Sequence, residues 1–120
     1  MVPDFLIFFK KTVRTAGVRK MMGQKKLSII IPVYNGETVL PRAVQAVLRE
    51  PGEDYELLLI DDGSTDETPK ICDGIAAQDR RVRVFHTKNQ GQGIARNLGI
   101  TQARGEYLLF CDADDTMVWQ

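Results

Sequence analysis

Four short apolar runs, LSIIIPV (27–33), YELLLI (55–60), VRVFH (82–86) and YLLFC (107–111), recur with helical patterns between them, and no other feature restricts the fold as strongly. A strand covered on one face alternates apolar and polar residues, whereas consecutive apolar residues mark a strand covered on both faces, as in a parallel sheet between helices. Three of the four runs are of the second kind. VRVFH alternates and is expected at an edge.

The intervening segments carry helical spacing. Val39, Leu40, Ala43, Val44, Val47 and Leu48 form one apolar stripe, with Pro41 in the first turn. Asp66 is expected to cap a second helix that has Pro69 in its first turn, buries Ile71, Cys72, Ile75 and Ala76, and is weakened by Gly74. A third helix is expected from about Gly93, burying Ile94, Ala95, Leu98 and Ala103, and ending where Gly105 takes a left-handed conformation. The order βαβαβαβ implies an α/β fold, a Rossmann-like and mostly parallel sheet with flanking helices and right-handed crossovers. Numbered along the chain from residue 27, the strands are expected in the order 3-2-1-4. Their starts are evenly spaced, yet the units share no internal signature, which argues against a solenoid.

With 120 residues, 43% hydrophobic and 27% charged, the chain has room for one small globular domain. Its zero formal charge hides an asymmetry. Residues 1–26 hold seven Lys or Arg against Asp4 alone, leaving fifteen acids and nine bases in residues 27–120. This basic, partly apolar tail carries Lys10, Lys11, Arg14, Arg19, Lys20, Lys25 and Lys26 beside the apolar run Phe5 to Phe9. Its composition fits either peripheral contact with an anionic membrane surface or a solvated leader, with Met21 or Met22 as alternative starts. The run is far shorter than the roughly 20 residues that span a bilayer, and its flanking charges do not suit a secretory signal. Cys72 and Cys111 show neither CxxC nor Cys/His spacing, so neither a disulfide framework nor a zinc site is expected, and a cytoplasmic location follows, extending to the inner face of the membrane if the tail binds there. No nucleic-acid partner is expected, because the only basic cluster lacks a base-stacking pattern.

In a sheet of this kind ligands gather beyond the carboxyl ends of the strands. Polar residues follow all four runs: Tyr34 and Asn35; Asp61, Asp62, Gly63 and Ser64; Asn89, Gly91 and Gly93; Asp112, Asp114 and Asp115. Partly buried carboxylates at roughly 6 Å repel by about 3 kcal/mol per pair at an effective dielectric near 20, and by far less in open water. If that rim is buried, a cation is the simplest explanation for it. Oxygen ligands without His or Cys suit Mg²⁺ or Mn²⁺. A solvated acidic turn is the plain alternative.

The blocks LSIIIPVYNGE (27–37), LLIDDGSTDET (58–68), NQGQGIARNLGI (89–100) and GEYLLFCDADD (105–115) together resemble the successive signatures of family 2 glycosyltransferases of the GT-A type. The resemblance covers nearly all of residues 27–115. It implies an inverting enzyme moving a sugar from a nucleotide-diphosphate donor, UDP-linked in particular, to a hydroxyl of a glycan or lipid-linked acceptor in polysaccharide or cell-envelope biosynthesis. It further implies that Pro32, Tyr34 and Glu37 shape the nucleotide pocket, with Tyr34 against the base. Asp62 would accept a hydrogen bond from uracil. Asp112 and Asp114 match the Asp-x-Asp pair, the first near the ribose and the second on a divalent Mn or Mg ion, with Asp115 behind them. Arg96 would support Asp62 or a phosphate. An aromatic face for stacking, a carboxylate for an imide N–H and a cation for a diphosphate are chemically apt on their own account.

By the same resemblance residues 27–120 are the N-terminal, nucleotide-sugar-binding part of the domain, cut after the Asp-x-Asp. The catalytic base is expected beyond residue 120, so the fragment alone is expected to bind donor without turning it over. With the chain ending there, the last strand is expected at an open edge prone to association.

Each assignment has a plainer alternative: Tyr34 packing over the rim, Asn35, Gly36 and Gly63 as turn formers, Asp61 as a turn or cap residue, Arg96 in a surface ion pair. His86, the only histidine, has no partner motif and reads as structural; Cys111 reads as a small buried apolar residue. Two functional alternatives compete. CDADDT (111–116) also fits a haloacid-dehalogenase-like phosphatase with Asp112 as nucleophile, although that nucleophile normally follows the first strand. The other is a non-catalytic nucleotide-binding fragment. A dinucleotide-binding fold lacks its G-x-G-x-x-G loop.

Overall fold

In a computed structural model that describes residues 5–8, 12–14, 26–114 and 116–118, the chain forms seven strands and three helices among those residues. The strands are β1 (Phe5–Phe8), β2 (Thr12–Arg14), β3 (Leu27–Val33), β4 (Tyr55–Asp62), β5 (Val82–Thr87), β6 (Tyr107–Phe110) and β7 (Thr116–Val118). The helices are α1 (Leu40–Leu48), α2 (Thr68–Gln78) and α3 (Gln92–Gln102). A five-stranded parallel sheet runs β1-β6-β3-β4-β5, and β2 pairs with β7 separately. The α/β, Rossmann-like expectation and the 3-2-1-4 order of the four strands from residue 27 are borne out, with β5 at an edge.

The consecutive apolar residues do what two-sided burial requires. Leu27, Ile29, Ile31 and Val33 of β3, with Leu57 and Leu59 of β4 and Leu109 of β6, pack under α1 and α2. Ile30, Leu58, Ile60, Leu108 and Phe110 point the other way, onto Ala95 and Leu98 of α3. A period of two along each strand thus feeds two separate cores from one sequence run.

Five local expectations are corrected. The edge beside β6 is not open: β1 lies along it in parallel, Phe5 opposite Tyr107 through Phe8 opposite Phe110. Unpaired backbone groups on β6 are a template for any extended segment, and Phe-Leu-Ile-Phe has strong strand propensity. The first four residues of the apolar run in the tail are therefore sheet; most of the basic residues around it lie outside the described residues. Ile94 is 51% exposed, because α3 meets the sheet along Ala95, Leu98 and Gly99, one step around the helix. Val39 turns outward rather than joining the α1 stripe. Gly105 has no positive φ; a Cβ there would lie 2.6 Å from Ser28 Oγ and 2.7 Å from its backbone nitrogen, so close approach demands glycine. Asp66 stands one residue before the helical N-cap Glu67, yet its Oδ1 still accepts the Thr68 N–H at 2.8 Å.

At the amino ends of the strands polar groups close the sheet. Ser28, fully buried, donates to Glu56 and accepts the Gly105 N–H. Glu56 also accepts from the Arg104 N–H and Arg83. Burial pushes the Glu56 carboxyl up, but these hydrogen bonds outweigh it and hold the group below its ordinary range. Arg81 binds Asp79, the Tyr55 hydroxyl and the carbonyls of Leu48 and Glu50.

Candidate functional site

The ladder between β3 and β6 ends at Ile30 opposite Phe110, with a last bond from the Cys111 N–H to the Ile30 carbonyl. Beyond it β3 runs on to Val33 against β4 alone. The direction of winding also reverses here: β3, β4 and β5 follow one another outward, and α3 then returns the chain to β6 on the far side of β3. Such a switch point leaves a crevice at the carboxyl ends, and here the crevice is a cavity of about 720 Å³. Pro32 suits its place there. Residues 30 and 32 face the same neighbour, and β6 has already departed at residue 32, so the missing N–H costs no ladder bond.

Among the residues singled out from sequence, Pro32, Tyr34, Asp62, Asp112 and Asp114 all line this cleft. Tyr34 is 47% exposed, leaving ring surface open to a ligand. Asn89 and Gly91, placed on the rim by the sequence as residues that follow the third run, line it too, as do Val39 and Gln92, which the sequence did not single out for the site. Glu37 is not brought into the cleft. Its carboxylate accepts the Glu67 N–H at 3.3 Å and its own N–H donates to Asp66, so it ties the first loop to the start of α2.

The loop after β3 is fastened to the loop after β4 by several bonds. Asn35, at φ 50°, accepts from the Thr65 and Asp66 N–H groups and donates its own N–H to Ser64 Oγ. The Gly36 N–H donates to the buried Thr68 hydroxyl at 3.0 Å. Asn, Ser and Thr serve here as short polar arms replacing backbone turn bonds. Tyr34 therefore stands on a braced loop.

Asp62 is 4% exposed and spreads its carboxylate over the Gln90 and Gly91 N–H groups, both at 2.9 Å. This clasp fixes the loop after β5 against β4. Gly63 follows at φ 71°, and a Cβ there would lie 2.4 Å from the Asn89 nitrogen. The Arg96 guanidinium turns to Asp112: its Nη2 donates to Asp112 Oδ1 at 3.3 Å and to Gln92 at 3.4 Å. A guanidinium one turn into α3 thus holds the first Asp of the pair. Asp115 lies outside the described residues.

Asp112 and Asp114 present hard oxygen donors without imidazole or thiolate, which fits Mg²⁺ or Mn²⁺ better than zinc. Among the described residues no group of three or more His, Cys, Asp or Glu converges to hold a metal unaided. A divalent ion there would need phosphate oxygens and water to complete its shell, as Mg²⁺ commonly does.

Asp61, beside Asp62 but turned to the other face, is also buried. Its Oδ1 accepts the Ser64 N–H at 3.0 Å, and its Oδ2 lies 2.8 Å from His86 Nδ1. His86 Nε2 lies 2.7 Å from Asp73 of α2. The histidine therefore has two carboxylate partners, 25 and 13 residues away, that no local motif announced. Both raise its pKa, Asp61 most. Cys72 and Cys111 are buried free thiols, and burial pushes Cys72 up to about 12. The cleft at the amino rim, about 420 Å³, includes Lys26, Tyr55, Glu56, Arg81 and Arg83. Arg81 and Arg83 are bound to Asp79 and Glu56, which assigns them to closing the sheet.

The model of the family described as glycosyl transferase family 2 matches residues 28–118. The chain is 42% identical over 90 residues to the glycosyltransferase GlyG of Streptococcus pneumoniae, covering 74% of this chain and 30% of that protein. Among solved structures, S. aureus TarS 1–349 in complex with UDP-GlcNAc superposes with a TM-score of 0.69 at 32% identity, covering 74% of this chain and 26% of that one. GalNAc-T7 with UDP, GalNAc and Mn²⁺ gives 0.66 at 31%, covering 76% and 18%. The chain thus spans well under half of each of these relatives. A parallel sheet with its switch-point cleft, four sequence blocks at its rim and a family match over those same blocks lead to one conclusion: the chain belongs to glycosyl transferase family 2.

Proposed function

We propose that this chain is the donor-binding part of a metal-dependent glycosyltransferase that moves a sugar from a UDP-linked donor to a hydroxyl of a glycan or lipid-linked acceptor. The observation that carries the reading is the convergence of Tyr34, Asp62, Asp112 and Asp114 on one cleft of about 720 Å³. The TarS and GalNAc-T7 complexes, with UDP-GlcNAc and with UDP and Mn²⁺, support the nucleotide and the cation.

In this reading the Tyr34 ring supplies a stacking face for the base. Each Asp62 oxygen already accepts one backbone N–H and keeps lone-pair capacity for the imide N–H of uracil. Asp112, steadied by Arg96, and Asp114 hold the divalent ion, Mn²⁺ or Mg²⁺; when bound, that ion offsets the diphosphate charge and stabilises the departing nucleotide. Deprotonation of the acceptor is assigned to a base outside this chain, so the chain by itself binds donor. A phosphatase using Asp112 is disfavoured, because Asp112 follows β6 rather than an early strand and its Oδ1 is engaged by Arg96.

Calorimetric titration with UDP, with and without Mn²⁺, tests the site. Mn²⁺-dependent binding that disappears in Asp114→Ala is expected. Folded protein that gives no heat with UDP and Mn²⁺ overturns the proposal. Among the described residues no helix is long and apolar enough to cross a membrane. Peripheral contact through the basic residues of segment 1–26 is a separate proposal, and equal pelleting with anionic vesicles with and without residues 1–20 would sink it.

A further inference from the structure

His86 is placed unlike any other side chain of the rim. It sits near the end of the edge strand β5, 41% exposed at the side chain, with one ring nitrogen 2.8 Å from Asp61 and the other 2.7 Å from Asp73. An ionised carboxylate only accepts hydrogen bonds. A ring whose two nitrogens both face carboxylates must donate from both, so this geometry is that of an imidazolium.

The bond to Asp61 leads into the cleft. Asp61 uses its other oxygen to accept the Ser64 N–H, Ser64 Oγ accepts the Asn35 N–H, and Asn35 is joined to Tyr34. Asp61 is 3% exposed, and a buried carboxylate without a cationic partner is costly. Neutral His86 can donate to only one of its two partners. Loss of its proton therefore leaves either Asp61 buried without compensating charge or Asp73 of α2 without its bond to β5.

We propose that His86 is a positioning residue for the donor site: as an imidazolium it holds Asp61, and through Asp61 the loops at 63–66 and 34–36 that carry Tyr34 into the nucleotide cleft. The inference rests on the reading of that cleft as a UDP site. The charged groups facing the ring are Asp61 from β4 and Asp73 from α2. Cys72, between them in α2, stays neutral because burial pushes its thiol up to about 12. Both carboxylates raise the histidine above its ordinary 6.5. The sign follows from the raised value. The imidazolium's contribution is complete below about 6.5 and is lost as pH climbs through the raised pKa.

His86 is the only histidine of the chain, so its ring protons give one assignable titration by NMR on the full chain. The backbone amides of Ser64 and Asn35 are expected to shift with the same midpoint as the ring in the wild type, and to show no such inflection in His86→Gln. Asp73→Asn is expected to lower the midpoint. Amides that ignore the ring titration overturn the proposal without reference to any nucleotide. The second readout is UDP affinity with Mn²⁺ from pH 6 to pH 9. A weakening of roughly fivefold in the wild type, absent in His86→Gln, is expected for a coupling at the low end of the usual range. Parallel profiles in the two proteins overturn the link to the cleft. Failure to bind UDP at any pH instead counts against the donor-site reading and leaves the amide result to judge the loop coupling.

Discussion

Replacing Gly63 by alanine introduces one carbon where the backbone has no room for it. The residue sits at φ 71°, which costs an L side chain about 1–2 kcal/mol, and its new Cβ would stand 2.4 Å from the Asn89 nitrogen, 3.0 Å from the Asn89 Cα and 3.1 Å from its Cβ. Two of these three are backbone atoms and the third is fixed to the backbone, so relief requires moving the loop that Asp62 clasps through the Gln90 and Gly91 N–H groups. Overpacking of this kind costs about 1–3 kcal/mol. Together the two effects predict a loss of about 2–5 kcal/mol, a large part of the 5–15 kcal/mol typical of a domain. Urea denaturation followed by circular dichroism measures it. Gly74→Ala is the matched control, since a Cβ in the middle of α2 meets nothing within 4 Å and should stabilise the helix by about 0.5–1 kcal/mol. UDP titration of both variants separates stability from the site: Gly63→Ala should weaken binding while Gly74→Ala leaves it unchanged. A Gly63→Ala protein as stable as the wild type would refute the claim that this turn holds the two loops in contact.

Two further outcomes follow from the buried polar groups. The Glu56 carboxyl is lowered in the folded protein, so its contribution is present above its ordinary value of 4.5 and is lost as pH falls through the lowered one. Denaturation midpoints between pH 7 and pH 3 should fall more steeply for the wild type than for Glu56→Gln, and equal slopes would count against the Ser28, Arg83 and Arg104 contacts as its cause. Cys72 and Cys111, both buried, should react with a thiol reagent at pH 8 only as fast as the protein opens. Prompt labelling of the native chain would contradict their burial.

Much of the fold was legible because its signals are local. Consecutive apolar residues in LSIIIPV and YLLFC require cover on both faces, and polar residues at the ends of all four runs mark the carboxyl rim. Pro32, Tyr34, Asp62, Asp112 and Asp114 were found that way and through the block resemblance, and they share the cleft. Glu37 belongs to the same blocks but is tied to the Glu67 N–H, while Arg96 meets the cleft through Asp112, a partner in another element.

What the chain decides by itself is periodicity, and therefore which residues can face inward and where strands end. What only the tertiary structure decides is who meets whom. Phe5–Phe8 reads as part of a membrane-facing or solvated tail until β6, about a hundred residues later, offers an unpaired edge. His86 reads as a strand-end residue until the packing of α2 on β4 and β5 sets Asp73 and Asp61 at its two nitrogens. Gly105 reads as a helix stop until the Ser28 backbone is found 2.7 Å from where its Cβ would be. In each case the deciding energy is a hydrogen bond, an ion pair or a steric contact between segments far apart in sequence, and such energies have no value until the sheet has brought those segments together.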